Sequence, residues 1–227
     1  MKTPLHLLYK NLGLLTLASL LATGAQAQDV KPAGGGVAVQ SKVAMCIGCH
    51  GIVGYQASFP EIHMVPMISG QNAKYIAAAL EAYRKGDRKH PTMQGVAGSL
   101  TDQDISEISA FYEVNGKDVP PAAHKAEPPS PEIQALLTKG NCLACHGEGL
   151  NKPIDAAYPK LAGQHGDYLY VALKSYQTSN NPKVGRSNPI MGAQVKLFTR
   201  PELKQLATYI ASLPGDLKTV PQPKLRR

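Results

Sequence analysis

Two copies of one five-residue pattern, Cys-x-x-Cys-His, constrain this chain more than any other feature. They are Cys-Ile-Gly-Cys-His at residues 46–50 and Cys-Leu-Ala-Cys-His at residues 142–146. The pattern is typical of c-type haem attachment, because thiols at this spacing fit one helical turn and can add across the haem vinyl groups. We therefore predict two covalently bound haem c groups. The predicted attachment residues are Cys46, Cys49, Cys142 and Cys145.

Three other uses of paired cysteines explain the pattern less well. A thioredoxin-like dithiol expects a βαβ context, and no β-rich run surrounds either pair. A four-cysteine zinc site would leave His50 and His146 without a role, and the 92 residues at 50–141 exceed the usual spacing of such sites. A disulfide within one pair would close a very short, strained loop. The haem interpretation makes His50 and His146 the proximal iron ligands.

The first 27 residues have the three parts of a secretory signal peptide. Lys2 and Lys10 supply positive charge, residues 12–22 are apolar, and Ala-Gln-Ala at 25–27 is a small-x-small cleavage site. A retained membrane anchor is the alternative, but this apolar run is short for a membrane span, which needs about 20 residues. We predict cleavage before Gln28 and a periplasmic protein, which agrees with haem attachment outside the cytoplasm.

The mature chain repeats one unit twice, which predicts two domains that arose by duplication. Tyr75 and Tyr83 recur 93 residues later as Tyr168 and Tyr176. The Pro-rich stretch between the two copies predicts an extended, fairly stiff linker. The predicted organisation is a signal peptide at 1–27, a flexible leader at 28–37, one domain at 38–116, the linker at 117–130, a second domain at 131–214, and a basic flexible tail at 215–227.

The spacing of apolar residues predicts an all-α fold. Thr101 with Asp104 has the pattern of a capping box at a helix start, and Thr199 begins the matching helix of the second copy. Residues 84–98 are rich in turn-forming residues and predict a loop. The other helices are expected at residues 37–45, 72–83 and 132–139.

Matched methionines are the predicted sixth iron ligands. His-Pro-Thr-Met at 90–93 recurs as Asn-Pro-Ile-Met at 188–191, so Met93 and Met191 follow a proline by two positions in both copies. A methionine sulfur in this position closes the haem and raises its reduction potential. Met64 and Met67 have no matching methionine and are expected to fill core space. Replacement of Met93 by His63 or Met64 stays open.

The sequence also predicts the hydrogen bonds, packing and exposure of other polar residues near the motifs. The second N–H of each proximal imidazole should bond a backbone carbonyl, and Pro66 and Pro159 are the expected acceptors. The four tyrosines of the repeat are expected to pack beside the haems, with hydroxyls bonded to a propionate or to the other domain. The remaining histidines of the mature chain are expected to be exposed: His63, His90, His124 and His165.

These residues together resemble the dihaem cytochrome c4 family, which consists of two class I cytochrome c domains. The resemblance covers about residues 38–214 and is carried best by the second motif, Tyr-Pro-Lys-Leu-Ala-Gly-Gln-His at 158–165, and Asn-Pro-Ile-Met. It implies a periplasmic electron carrier with His/Met ligation at both irons and two domains that face each other. It also implies redox-protein partners, with a quinol-oxidising complex or dehydrogenase as donor and a terminal oxidase, such as a cbb3-type enzyme, as acceptor.

Charge separates the two halves and bears on partners. The chain has 24 basic and 16 acidic residues, net +8, and loss of Lys2 and Lys10 leaves +6. Residues 38–116 hold 6 basic and 7 acidic residues, whereas 131–214 hold 9 and 5. The halves could therefore dock on different partners, or the charges could be only a solvated surface. No basic stripe with interleaved aromatics is present, so nucleic-acid binding is not predicted.

The sequence leaves two other functions open. The chain could be the cytochrome subunit of a sulfide- or alcohol-oxidising dehydrogenase, which would co-purify with a larger catalytic chain. It could also be a small dihaem peroxidase or thiosulfate-oxidising enzyme, which needs an open or unusually ligated haem. Met93 and Met191 argue against the enzyme, because both axial positions would be filled. We therefore predict an electron carrier, membrane-associated only through protein partners.

Overall fold

The computed structural model describes residues 35–120 and 127–221. The predicted signal peptide, the predicted leader up to residue 34, the centre of the linker with His124, and the last six residues lie outside this part. Nine helices and four two-residue strands occur in it. They are α1 (Gly35–His50), β1 (Gln56–Ala57), β2 (His63–Met64), α2 (Ala73–Lys85), β3 (Arg88–Lys89), α3 (Pro91–Gly98), α4 (Asp102–Val114), α5 (Pro131–Lys139), α6 (Cys142–His146), α7 (Gly166–Tyr176), β4 (Gly185–Arg186), α8 (Pro189–Val195) and α9 (Arg200–Ser212).

The predicted helix starts at Thr101 and Thr199 are confirmed. Each threonine side chain caps its helix. The carboxylate three residues later accepts a hydrogen bond from the threonine backbone N–H, which completes a capping box in both α4 and α9. The region expected as a loop, residues 84–98, instead contains strand β3 and helix α3. The proline of α3 is the first residue of this helix, where its missing N–H removes no helical hydrogen bond.

Each half of the described chain has its own hydrophobic core. The first core packs α1 and α2 against α3 and α4, and the second packs α5 and α7 against α9. The largest side chains that are almost completely enclosed are Val43 and Ile108 in the first half and Leu150 and Leu203 in the second. No helix in residues 35–120 and 127–221 has the length and apolar character needed to cross a membrane.

Two buried glutamines join the halves by reciprocal backbone pairing. The amide of Gln71 donates to the carbonyl of Lys160 (3.0 Å) and accepts from the Lys160 N–H (3.0 Å). Gln164 does the same with Met67, at 2.8 and 3.0 Å. The NH₂ and the oxygen of each side-chain amide both have a hydrogen-bond partner, so neither group is left unpaired when the amide is buried. The antiparallel pair β3–β4 adds backbone contact between the halves.

The segment after Pro214 was predicted to be flexible, but residues 215–221 pack against the first half. Leu217 is only 5% exposed, and the Lys218 N–H donates to the Ser69 carbonyl at 3.0 Å. The Lys218 ammonium donates to the carbonyls of Gly116 and Val119. Gly70 permits this contact, since its φ is +84° and a Cβ there would lie 2.4 Å from the Asp216 carbonyl oxygen.

Deleting residues 215–227 should therefore lower the free energy of unfolding by about 2 kcal/mol, the value for burying one leucine side chain. The expected fall in melting temperature is roughly 4–8 °C for a chain of this size. Deleting only residues 222–227 is the matched control and should leave the melting temperature unchanged. Equal melting curves for both deletions would show that Leu217 and Lys218 contribute no stability.

Candidate haem sites

Both Cys-x-x-Cys-His motifs lie on helices. The first ends the long helix α1, and the second is the whole of the short helix α6. None of the four cysteines forms a disulfide. Cys46 packs against the first core and Cys142 against the second. The one-turn spacing needed for two thioether bonds is therefore present in both copies.

The predicted anchoring of the proximal histidines is confirmed. Nδ1 of His50 lies 2.8 Å from the Pro66 carbonyl oxygen, and Nδ1 of His146 lies 2.9 Å from that of Pro159. A carbonyl can only accept, so Nδ1 carries the proton and Nε2 is left unprotonated, free to bind a metal. Burial lowers the pKa of both imidazoles, although these hydrogen bonds oppose it. Both rings are thus held in the neutral form that binds a metal.

The matched methionines lie in the first turn of two short helices. Met93 is the third residue of α3, and its N–H donates to Nδ1 of His90 at 3.4 Å. Met191 is the third residue of α8, and its N–H donates to Oδ1 of Asn188 at 2.9 Å. The residue before each proline is thus an N-cap that fixes the backbone at the methionine. Each methionine also packs against the core of its own half.

A cavity of about 390 Å³ brings the first set of predicted residues together. Cys46, Cys49, His50 and Met93 all line it. Its apolar lining residues include Ile68, Ile76, Leu80, Val96, Leu100 and Ile108. Such a cavity fits a porphyrin, which needs apolar walls with a thiol pair and two axial donors. The cavity extends to the junction of the halves, where Gln164 and Tyr168 of the second half reach it.

His63 was predicted to be exposed, and this is wrong: it is 4% exposed. Its Nδ1 lies 2.7 Å from the Glu61 carbonyl, and its ring stacks on Tyr168 of the other half at 6.2 Å between centroids. The imidazole also lines the cavity. Met64, the neighbouring candidate, donates its N–H to Asp167 of the second half at 2.8 Å. His90 and His165 are half-buried rather than exposed.

Two arginines that the sequence analysis did not single out lie at this junction, among the four repeated tyrosines. We call Arg88, Arg186, Tyr75, Tyr83, Tyr168 and Tyr176 the Arg–Tyr cluster. The Tyr168 hydroxyl lies within hydrogen-bond distance of Nη2 of Arg88 (3.4 Å) and Nη2 of Arg186 (3.2 Å). Although burial raises the pKa of Tyr168, the two guanidinium groups lower it below its usual range. The expected bond from a repeated tyrosine to the other half is therefore present.

The arginines could have been found in the sequence by the same repeat that identified the methionines. Each stands five residues before its methionine, as Arg-Lys-His-Pro-Thr-Met at 88–93 and Arg-Ser-Asn-Pro-Ile-Met at 186–191. Arg88 also lies with its guanidinium 4.7 Å from the Tyr83 ring centroid, and Arg186 at 5.5 Å from that of Tyr176. Matched position and matched contact indicate one role in both halves.

Comparison with known proteins agrees with this geometry. The family model for cytochrome c matches residues 130–214. Cytochrome c-554(548) of Halomonas halodenitrificans is 37% identical over 83 residues, which cover 35% of this chain and 95% of that protein. A chain with this match, two attachment motifs and this helical fold is a c-type cytochrome of class I fold.

Relatives of full length define the family more closely. Cytochrome c4 of Stutzerimonas stutzeri is 28% identical over 215 residues, covering 87% of this chain and 98% of that protein. The thiosulfate dehydrogenase electron acceptor of Stutzerimonas stutzeri (strain A1501) is 27% identical, with coverage of 87% and 90%. The structure of Acidithiobacillus ferrooxidans cytochrome c4 matches with a TM-score of 0.58 and 26% identity, over 75% of this chain and 99% of that one. The chain belongs to the dihaem cytochrome c4 family, carries two covalently bound haem c groups and transfers electrons.

Proposed function

We propose that this protein is a periplasmic electron carrier with two closed haems. His50 and Met93 are the axial ligands in the first half, and His146 and Met191 in the second. Each Cys-x-x-Cys pair provides the two thioether links. The observation that carries the proposal is that Cys46, Cys49, His50 and Met93 line one cavity, while their counterparts occupy matching elements of the second half.

A haem c held in this way supplies a one-electron ferric/ferrous couple, and the chain's own residues tune it. The Pro66 and Pro159 carbonyls fix the imidazole rings and raise their basicity as ligands. The methionine sulfurs would supply the second ligand to each iron, which would raise the reduction potentials. The apolar walls exclude water, which disfavours the more highly charged ferric state. No open position remains for a substrate, so the chain binds, orients and insulates its cofactors.

For partners, we propose a quinol-oxidising complex as donor and a terminal oxidase of the cbb3 type as acceptor. The excess of basic residues in residues 131–214 suits docking on an acidic partner. A second donor, a thiosulfate dehydrogenase, is favoured by one specific observation: a relative of nearly full coverage is named as the electron acceptor of that enzyme. The cytochrome subunit of another dehydrogenase is the remaining alternative.

Stopped-flow mixing tests this proposal. The reduced protein should be reoxidised by membranes that contain a cbb3-type oxidase, in a manner that requires oxygen. The rate should fall steadily as ionic strength rises, because exposed charges are screened beyond about 10 Å at 0.1 M salt. A rate independent of salt would remove the electrostatic part of the proposal. Absence of reoxidation, together with turnover of peroxide or thiosulfate by the purified chain alone, would contradict the carrier role.

A further inference from the structure

The two arginines of the Arg–Tyr cluster lie directly opposite each other. Strands β3 and β4 pair antiparallel with Arg88 in register with Arg186, so their Cβ atoms are about 5 Å apart on one face. Nη2 of each arginine contacts the same Tyr168 hydroxyl. Like charges in this arrangement repel each other and destabilise a sheet pair. The protein therefore brings together two cations, one from each half, at a cost.

The described residues do not neutralise this charge. Arg88 is 9% exposed, yet within residues 35–120 and 127–221 no carboxylate lies within ion-pair distance of either guanidinium, although nine other ion pairs are present there. Their neighbours are tyrosine hydroxyls and ring faces. A buried charge without a counter-ion is strongly destabilising. The cluster thus has the composition of an anion-binding site.

The position of Arg88 indicates which anion it receives. Arg88 lines the cavity that also contains His50 and Met93, and its Nε is buried with no hydrogen-bond partner. An unsatisfied buried donor of this kind calls for an acceptor. The carboxylates that a haem brings into such a cavity are its two propionates, which suit the two-pronged donor geometry of a guanidinium. Arg186 holds the matching place in the second half.

We propose that Arg88 and Arg186 form one shared cationic site that binds haem propionates from both halves and raises both reduction potentials. A positive charge near a haem disfavours the ferric state, which carries one more positive charge than the ferrous state. Because the Tyr168 hydroxyl contacts both guanidiniums, a charge lost at one arginine acts on both irons. The inference rests on the haem placement in the proposed function.

Spectroelectrochemical titration of the dihaem protein tests the site. The Arg88→Gln variant should shift both potentials downward, and Arg186→Gln should do the same. Arg88→Lys keeps the charge but loses the fork, so it should restore most of the shift. The matched control is Arg84→Gln, which removes one positive charge from the neighbouring helix α2, where Arg84 pairs with Asp102 at 2.7 Å outside the cluster. It should leave both potentials unchanged.

The outcomes separate this inference from the proposed function. Unchanged potentials in both glutamine variants would overturn the shared site while leaving the carrier role intact, provided that the methionine–iron absorption persists. Equal shifts in Arg84→Gln and Arg88→Gln would reduce the effect to general surface charge and also overturn it. If Arg88→Gln does not fold with haem, Arg186→Gln gives the decision, because Arg186 is half-buried and its loss disturbs packing less.

Discussion

The Met93→Ala variant should keep both covalent haems but lose half of the long-wavelength methionine–sulfur band of the ferric protein. Met93 is the third residue of α3 and lines the cavity of the first motif. Removal of its sulfur opens one axial position, so one haem should become high-spin and bind cyanide or, when reduced, carbon monoxide. Its reduction potential should fall by on the order of 0.2 V, part of the roughly 0.8 V range that axial ligands cover.

Two variants serve as controls for this experiment. Met64→Leu removes the thioether that the sequence left open as a competitor, and His63→Phe removes the buried imidazole that shares the cavity. Both should retain the full methionine–sulfur band. The assignment of Met93 would be contradicted if Met64→Leu lost half of the band, or if Met93→Ala kept all of it. If the haem of Met93→Ala stays low-spin, and becomes high-spin only when His63 is also replaced, then His63 is a substitute ligand in that variant.

Replacing Cys142 and Cys145 together by alanine should produce a protein with one covalent haem. Its mass should be lower by that of one haem, in addition to the two side-chain changes, and its absorbance per chain should be about half. Cys142 and Met191 both pack against the second core, so loss of the haem leaves that core incomplete. The expected destabilisation is about 4 kcal/mol or more, the size seen for loss of a core-forming group.

The paired variant Cys46→Ala with Cys49→Ala is the counterpart in the first half. Each double variant should retain the methionine–sulfur band of the other half, because the two haems have separate ligands. Retention of two covalent haems in either double variant, measured by intact mass under denaturing conditions, would contradict the attachment sites. Loss of both haems would instead show that the halves depend on each other for haem insertion.

The sequence repeat selects the candidate ligand sets, which stay predictions, because it combines chemistry with position. Met93 and Met191 differ from Met64 and Met67 only in having a matched partner, and this was enough to select them. The histidine–proline hydrogen bonds were predictable for the same reason, since Pro66 and Pro159 hold equal places in the repeat. A residue pattern that recurs at equal spacing carries information that a single copy lacks.

Contacts between the halves could not be predicted from local pattern. His63 lies in a loop with prolines on both sides, which predicts exposure, but Tyr168, more than 100 residues away, stacks on its ring. Leu217 follows Pro214 in a basic segment typical of a flexible tail, yet it is buried, and the next residue, Lys218, bonds Ser69 of the first half. Helix α3 was missed because it is only eight residues long and begins at a proline. In each case tertiary contacts overrode local propensity.

We expect that both irons of this electron carrier are closed by His/Met pairs. The most direct measurement is the optical spectrum of the purified ferric protein, before and after addition of cyanide, and of the reduced protein with carbon monoxide. We predict a methionine–sulfur band of two-haem intensity and slow or absent binding of either ligand. A high-spin spectrum, or rapid ligand binding at one haem, would contradict the claim and reveal an open site where peroxide or sulfur compounds could react.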